Sequence, residues 1–191
     1  ATHRVEVARS ILEQMASHCR DGLLPVRFSE EDGAPEYDSV DTSLWFFWAV
    51  HHYLKLTRDA RFVRRRLLET LRDILDYYAQ GTQYHIIMDE NGLITTSGET
   101  LPLTWMDARS GGLPLAHRPG RAVEVNALWY NALMTMAQLE TSPKLKSQCV
   151  RLSRLVKRNF TRLFWNSQGH GLYDVVDQQP DESVRPNQLF A

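Results

Sequence analysis

Trp105 and Asp107 stand two residues apart in the stretch Leu101-Pro102-Leu103-Thr104-Trp105-Met106-Asp107-Ala108. The indole offers a flat apolar face and one N–H donor, and the carboxyl can hold a proton more tightly beside an apolar neighbour. A sugar needs that pairing: a platform to stack on and a proton donor for the glycosidic oxygen. Ala108-Arg109-Ser110-Gly111-Gly112 does not read as a helix that Asp107 would cap, so the plain alternative is a solvated loop aspartate. Further polar groups open the apolar runs: Asp41, Glu124 with Asn126, and Arg185 with Asn187. Helix capping is their simplest role, because helix N-termini favour such side chains. Trp45, Trp105, Trp129 and Tyr130 stand among them and favour binding instead, whereas Phe47 and Trp48 read as core.

Other chemistries lack their residues. No Gly-rich phosphate loop ends in Lys-Ser/Thr, and Gly-x-Ser-x-Gly is absent. His51 and His52 have no third ligand at a recognisable spacing, so neither a metal nor a cofactor is expected. Cys19 and Cys149 are far apart and read as free thiols of a reducing compartment, with a single disulfide as the alternative. The net charge of −1 leaves no footprint for nucleic acid or an anionic membrane. Arg61, Arg64, Arg65 and Arg66 sit beside Glu69 and Asp73 and read as a solvated helix face. The apolar run Leu44–Val50 is too short to span a bilayer and no signal peptide opens the chain, so a cytoplasmic location is expected.

The elements that must position these residues recur. With 191 residues, 43% of them hydrophobic, the chain reads as part of one helical domain. Ala8, Ile11, Leu12 and Met15 mark one stripe of an amphipathic helix that ends near His18. After an irregular stretch, Asp41-Thr42-Ser43 opens a run through Leu54 that is apolar nearly all round and must be buried. Thr57-Arg58-Asp59 turns into a one-faced helix with Val63, Leu67, Leu71, Ile74 and Tyr78 in line, closed by Gly81. A long loop from Thr82 to Val123 follows, with a short extended piece at Ile86-Ile87-Met88. Glu124–Leu133 is again apolar on most sides, and Leu145, Cys149, Leu152, Val156, Phe160 and Leu163 mark another single stripe after Thr141-Ser142-Pro143. A third long loop ends at Arg185-Pro186-Asn187-Gln188, with Pro186 suited to a first helical turn.

Each long loop carries a Gly-Leu step, at Gly22, Gly92 and Gly171, 70 and 79 residues apart. Those periods exceed the roughly 34 to 47 residues of two-helix solenoids. A ring of buried helices inside a ring of amphipathic ones accounts for both helix types. Alternate helices then run antiparallel, which gathers the long loops on one rim and the short turns on the other. Asp41, Glu124 with Asn126, and Arg185 with Asn187 all fall on the long-loop rim.

At Tyr37-Asp38-Ser39-Val40-Asp41-Thr42-Ser43-Leu44-Trp45-Phe46, Leu103–Ala108, Val123–Leu133 and Arg185–Gln188 the sequence resembles the C-terminal, amylo-alpha-1,6-glucosidase domain of glycogen debranching enzymes. These motifs span nearly the whole chain in the family's order. The resemblance implies an all-α, (α/α)6 toroid of helical hairpins, present over residues 1–191 as about half a ring, and a chain truncated at both ends. It implies inverting hydrolysis of α-1,6-linked glucose branches on a glycogen-like glucan, with Asp107 as general acid. Asp41, Trp45, Trp105, Glu124 and Asn126, together with Arg185 and Asn187, then look like substrate contacts. An inverting pair also needs a base carboxylate about 6.5–9.5 Å from the acid. In the family it lies beyond Arg-Pro-Asn-Gln, so the isolated chain is expected to be inactive, with Glu124 a substrate binder and not the base. The stretch Leu115–Ala122 departs from the family's Thr-Pro-Arg-x-Gly-Lys approach, with His117 in place of Thr-Pro. The competing readings are another toroidal glycosidase, trehalase-like or α-mannosidase-like, and a non-catalytic carbohydrate-binding half-ring.

Overall fold

The computed structural model describes residues 4–97, 103–106, 109–110, 113–114, 116, 118–169 and 171–191, with backbone alone at 109, 110, 113 and 114. Asp107 and His117 lie outside the described residues. Six α-helices carry the described fold: α1 (Val5–Ser17), α2 (Thr42–Thr57), α3 (Ala60–Arg66), α4 (Leu68–Gln80), α5 (Val123–Leu139) and α6 (Pro143–Phe164). A 3₁₀ helix, Pro186–Phe190, follows, with proline in its first turn as expected.

Helix α5 sits at the centre, packed against α2, α6 and the 3₁₀ helix, while α4 meets it through Tyr78 stacked on Trp129 at 6.2 Å. Its burial follows from its composition: Val123, Val125, Leu128, Trp129, Ala132, Leu133 and Met136 all lose contact with solvent. Helices α4 and α6 each bury a single stripe, the arrangement that amphipathic spacing calls for. Val63, Leu67, Leu71, Ile74 and Tyr78 are all buried in line.

Three local expectations change. The single helix expected between the Thr57-Arg58-Asp59 turn and Gly81 is broken at Leu67, whose φ of −120° ends α3 and starts α4, while its side chain stays in the core. On α1, Leu12 is buried with Ala8, Met15 and Ala16 packed beside it, but Ile11 is 54% exposed, so the buried face lies one position round. On α2, Phe47 is buried but Trp48 is 44% exposed. A stripe of α2 is therefore uncovered, and there Trp48 lies edge-on to Trp45 at 5.7 Å and against His52 at 3.8 Å.

Short antiparallel pairs fill the loops. They are β1 (Arg27–Phe28) with β2 (Pro35–Glu36), β3 (Ile86–Met88) with β4 (Ile94–Thr96), and β5 (Arg109–Ser110) with β6 (Leu113–Pro114). Further on, β7 (Arg121–Ala122) pairs with the distant β10 (Val175–Val176), and β8 (Trp165–Asn166) pairs with β9 (Gly171–Leu172). The repeat has a common joint in its first two copies. Gly22 and Gly92 adopt φ of +74° and +77°, and the leucine after each is fully buried. Only glycine enters that backbone region without a steric penalty. Two residues past each glycine, the backbone N–H donates to a side chain near the start of a buried helix: Leu24 to Ser43 Oγ at 2.9 Å, and Ile94 to Asn126 Oδ1 at 2.7 Å. In the third copy Gly171 lies in β9 without a positive φ, and the joint is not repeated.

Candidate functional site

The loops that precede α2, α5 and the 3₁₀ helix meet. Val40 N–H donates to Leu103 C=O at 2.8 Å, Val123 N–H to Asp174 C=O at 3.0 Å, and the Trp105 indole N–H to Asn187 Oδ1 at 2.9 Å. The last bond joins two motifs 82 residues apart. Trp105 is 51% exposed while its N–H is held. Asn187, by contrast, is fully buried, with Nδ2 donating to Asp174 Oδ1 at 2.7 Å and lying 3.4 Å from Met106 Sδ.

Capping does not account for the acidic residues. Asp41 occupies the N-cap position of α2 but makes no side-chain capping hydrogen bond, and the Ser39 hydroxyl accepts from Thr42 N–H at 3.1 Å. Ser39 Oγ in turn donates to Asp41 Oδ1 at 2.6 Å. Glu124, in the first turn of α5, is buried and faces Arg118, whose Nη2 reaches Glu124 Oε2 at 2.8 Å and whose Nη1 reaches Oε1. Arg118 also grips Asp174, through Nε to Oδ2 at 2.7 Å and Nη2 to Oδ1 at 3.0 Å. Arg185 Nη1 adds a bond to Asp174 Oδ2 at 2.6 Å and another to Asp181 Oδ2 at 2.6 Å.

These bonds explain the charge states. Burial alone would lower the Arg118 pKa, but the hydrogen bond and charge of Glu124, then those of Asp174, outweigh it and raise it. The Arg185 guanidinium is likewise favoured, first by its bond to Asp181. At Asp181 burial opposes ionisation, yet the donors Arg185 and Ser183 hold its carboxyl down at about 2.

The structure thus brings Trp105, Glu124, Arg185 and Asn187 into one network. Trp45 adjoins it through an edge-on contact with Phe190 of the 3₁₀ helix, at 5.4 Å. Asn126 is set apart. It is fully buried, and its Nδ2 donates to Ile94 C=O at 2.9 Å, which braces β4 against α5, and to Ala122 C=O at 3.0 Å, at the N-cap of its own helix. The expected acid, Asp107, follows Met106 in the chain and lies outside the described residues.

Three members of the network, Arg118, Asp174 and Asp181, were not singled out from sequence. Arg118 lies six residues before Glu124, and Asp174 two residues after the third Gly-Leu step. A glutamate at the start of so apolar a helix requires a buried cation, because an unpaired charge does not remain in a core. That requirement is the signal that could have led to a nearby arginine, but sequence alone carries none for Asp174 as the anion on its far side.

A cavity of about 790 Å³ lies elsewhere, between α4 and α6 over Trp129, Leu133 and Met136. Its one aromatic, Trp129, is fully buried and offers no face for stacking. None of the described helices is long and apolar enough to cross a membrane.

Comparison with known proteins adds to this geometry. Among solved structures, a rhamnosidase from Klebsiella oxytoca with rhamnose bound superposes with a TM-score of 0.70 at 17% sequence identity, over 93% of this chain and 32% of the rhamnosidase. This chain therefore spans about a third of that structure, and at such identity the likeness is one of fold. No curated protein matches. The sequence profile of the family described as amylo-alpha-1,6-glucosidase matches residues 1–191, and the chain accordingly belongs to the amylo-alpha-1,6-glucosidase family.

Proposed function

We propose that this chain is part of an (α/α)6 toroidal glycoside hydrolase that removes α-1,6-linked glucose from branched, glycogen-like glucans by inversion, in the cytoplasm. Asp107 is the general acid, and its partner base comes from sequence beyond the Arg-Pro-Asn-Gln motif. Trp105 and Trp45 are the aromatic platforms and Asp41 a polar sugar contact. Glu124, Arg185 and Asn187 form the polar floor of the same site. Asn126 supports that floor from beneath and does not touch the sugar. The observation that carries this reading is the Trp105–Asn187 bond, which holds the indole N–H of a half-exposed tryptophan two residues before Asp107 in the chain. An aromatic face beside a carboxylic acid is what protonation of a sugar leaving group requires.

The test is release of glucose from a branched limit dextrin by the natural full-length polypeptide. Asp107→Asn should lower kcat by about 10²–10⁴-fold, the usual worth of a general acid. Retained activity in that variant would remove the acid assignment. Parallel assays with trehalose and mannosides decide the linkage, and faster cleavage of either would replace the branched glucan as substrate.

A further inference from the structure

We infer that Asp174 is a positioning residue of the proposed sugar site, setting the Trp105 platform through the side chain of Asn187. The inference rests on the reading of Trp105 as a platform, but its geometry stands apart from any activity.

An asparagine amide can face either way, with a donor on one side and an acceptor on the other. Asp174 removes that freedom. Its carboxylate can only accept, and Oδ1 takes the Asn187 Nδ2 proton at 2.7 Å. The Asn187 oxygen must then point away from Asp174, where it meets the indole N–H of Trp105 at 2.9 Å. A flipped amide would put two oxygens together at Asp174 and two donors together at Trp105. Asp174 is itself immobilised. Its side chain is fully buried between Arg118 and Arg185, its N–H donates to Asp181 C=O at 2.8 Å, and its C=O accepts from Val123, the first residue of α5. The same Asn187 amide also touches Met106 Sδ, so the relay reaches both residues that precede position 107. A rigid path therefore runs from the start of α5 through Asp174 and Asn187 to the Trp105-Met106 segment. Supporting groups of this kind hold a site to the tolerance that catalysis needs.

The competing account makes Asp174 a counter-ion for two arginines and nothing more. Asp174→Glu separates the two, because it keeps the charge between Arg118 and Arg185 but moves the carboxylate by one methylene. Asn187→Ala leaves Asp174 and both arginines intact, so it stays informative if the first variant folds poorly. The readout is hydrogen exchange of the Trp105 indole N–H in the natural full-length polypeptide, its resonance assigned by its loss in Trp105→Phe. Both variants should speed that exchange on the order of tenfold, the effect of losing one hydrogen bond. The other indoles should keep their wild-type rates, and the double variant should match Asn187→Ala alone. In the glucose-release assay both variants should lower kcat by about 10- to 100-fold with KM nearly unchanged, the signature of a misplaced reacting group. Wild-type exchange at Trp105 in Asp174→Glu, alongside faster exchange in Asn187→Ala, would overturn the relay. A wild-type protein without glucosidase activity would count against the site reading and leave the exchange result to decide the relay.

Discussion

Arg118→Met tests the buried core of the network directly. The Arg118, Glu124 and Asp174 side chains are exposed by 1% or less. The guanidinium bonds both oxygens of each carboxylate and also reaches Asp174 C=O at 3.2 Å. Methionine fills much of the stem's volume but donates nothing. Asp174 would keep Arg185 and Asn187, so its loss is partial. Glu124 would keep no side-chain partner among the described residues. Removing one partner of a buried ion pair costs about 3–5 kcal/mol because the other charge is stranded. With one carboxylate fully stranded and the second still held, the expected loss is at the lower end, about 3 kcal/mol. With a urea m-value of about 2 kcal/mol/M, the unfolding midpoint should fall by about 1.5 M at unchanged m. Adding Glu124→Gln removes the stranded charge and should return about 1–2 kcal/mol. A midpoint shift below about 0.3 M, or a double variant less stable than Arg118→Met alone, would refute the assignment of Arg118 as the obligatory cation of this core.

Three further outcomes follow from particular contacts. Asp181, held at about 2 by Arg185 and Ser183, contributes stability that is present above its unfolded pKa and lost as pH falls through the folded one. Its carboxyl carbon should therefore titrate near 2 by NMR, and Asp181→Asn should flatten the stability curve between about pH 4 and 2; a midpoint near the ordinary value of about 3.9 would contradict the pairing. Burial, then the charge of Asp73, pushes the Cys19 thiol up to about 11. Its alkylation by iodoacetamide should thus keep accelerating past pH 10, and a plateau near pH 9 would show an ordinary exposed thiol. Gly120 has φ +96°, and an added Cβ would lie 2.9 Å from Asp177 Cβ and 3.1 Å from Val176 C=O. Gly120→Ala should cost about 1–3 kcal/mol in thermal or urea unfolding, and a neutral result would mean that the β7–β10 joint yields.

How much of this was legible in the sequence depends on the range of the force involved. Helices α1 and α6 follow from apolar residues spaced three and four apart, and α2 and α5 from runs that are apolar on most sides, because both patterns are properties of near neighbours in the chain. The break at Leu67 was not legible: every residue on that stripe remains buried, and only the backbone turns. Trp48 was misjudged because apolar composition says that a face favours cover and not that it has one; in the described structure that stripe of α2 has none. The expectation that polar residues at the starts of buried helices share one rim rested on the antiparallel order of helices. Of those residues, Glu124, Arg185 and Asn187 are linked through Arg118 and Asp174, whereas Asp41 bonds Ser39 and Asn126 bonds Ile94 and Ala122.

What lay beyond reach was which polar residue meets which. Asn126 and Asn187 look alike in sequence, each in the first turn of a helix, and both are fully buried. Their partners divide them. Asn126 gives both amide protons to backbone carbonyls, as the first-repeat joint of Leu24 and Ser43 also binds main chain to side chain, so its duty is the repeat. Asn187 stands between a carboxylate and an indole, and so transmits the position of one to the other. That distinction comes from contacts across 82 residues in one direction and 13 in the other, neither of which any local pattern encodes. It also explains why buried polar groups are placed where they are around this rim. An apolar floor would bury area more favourably than Arg118, Glu124, Asp174 and Asn187 do, since paired buried charges seldom stabilise more than well-packed hydrophobic side chains. What the polar floor supplies instead is direction: each donor admits only certain acceptors, so the Trp105 ring can take few orientations.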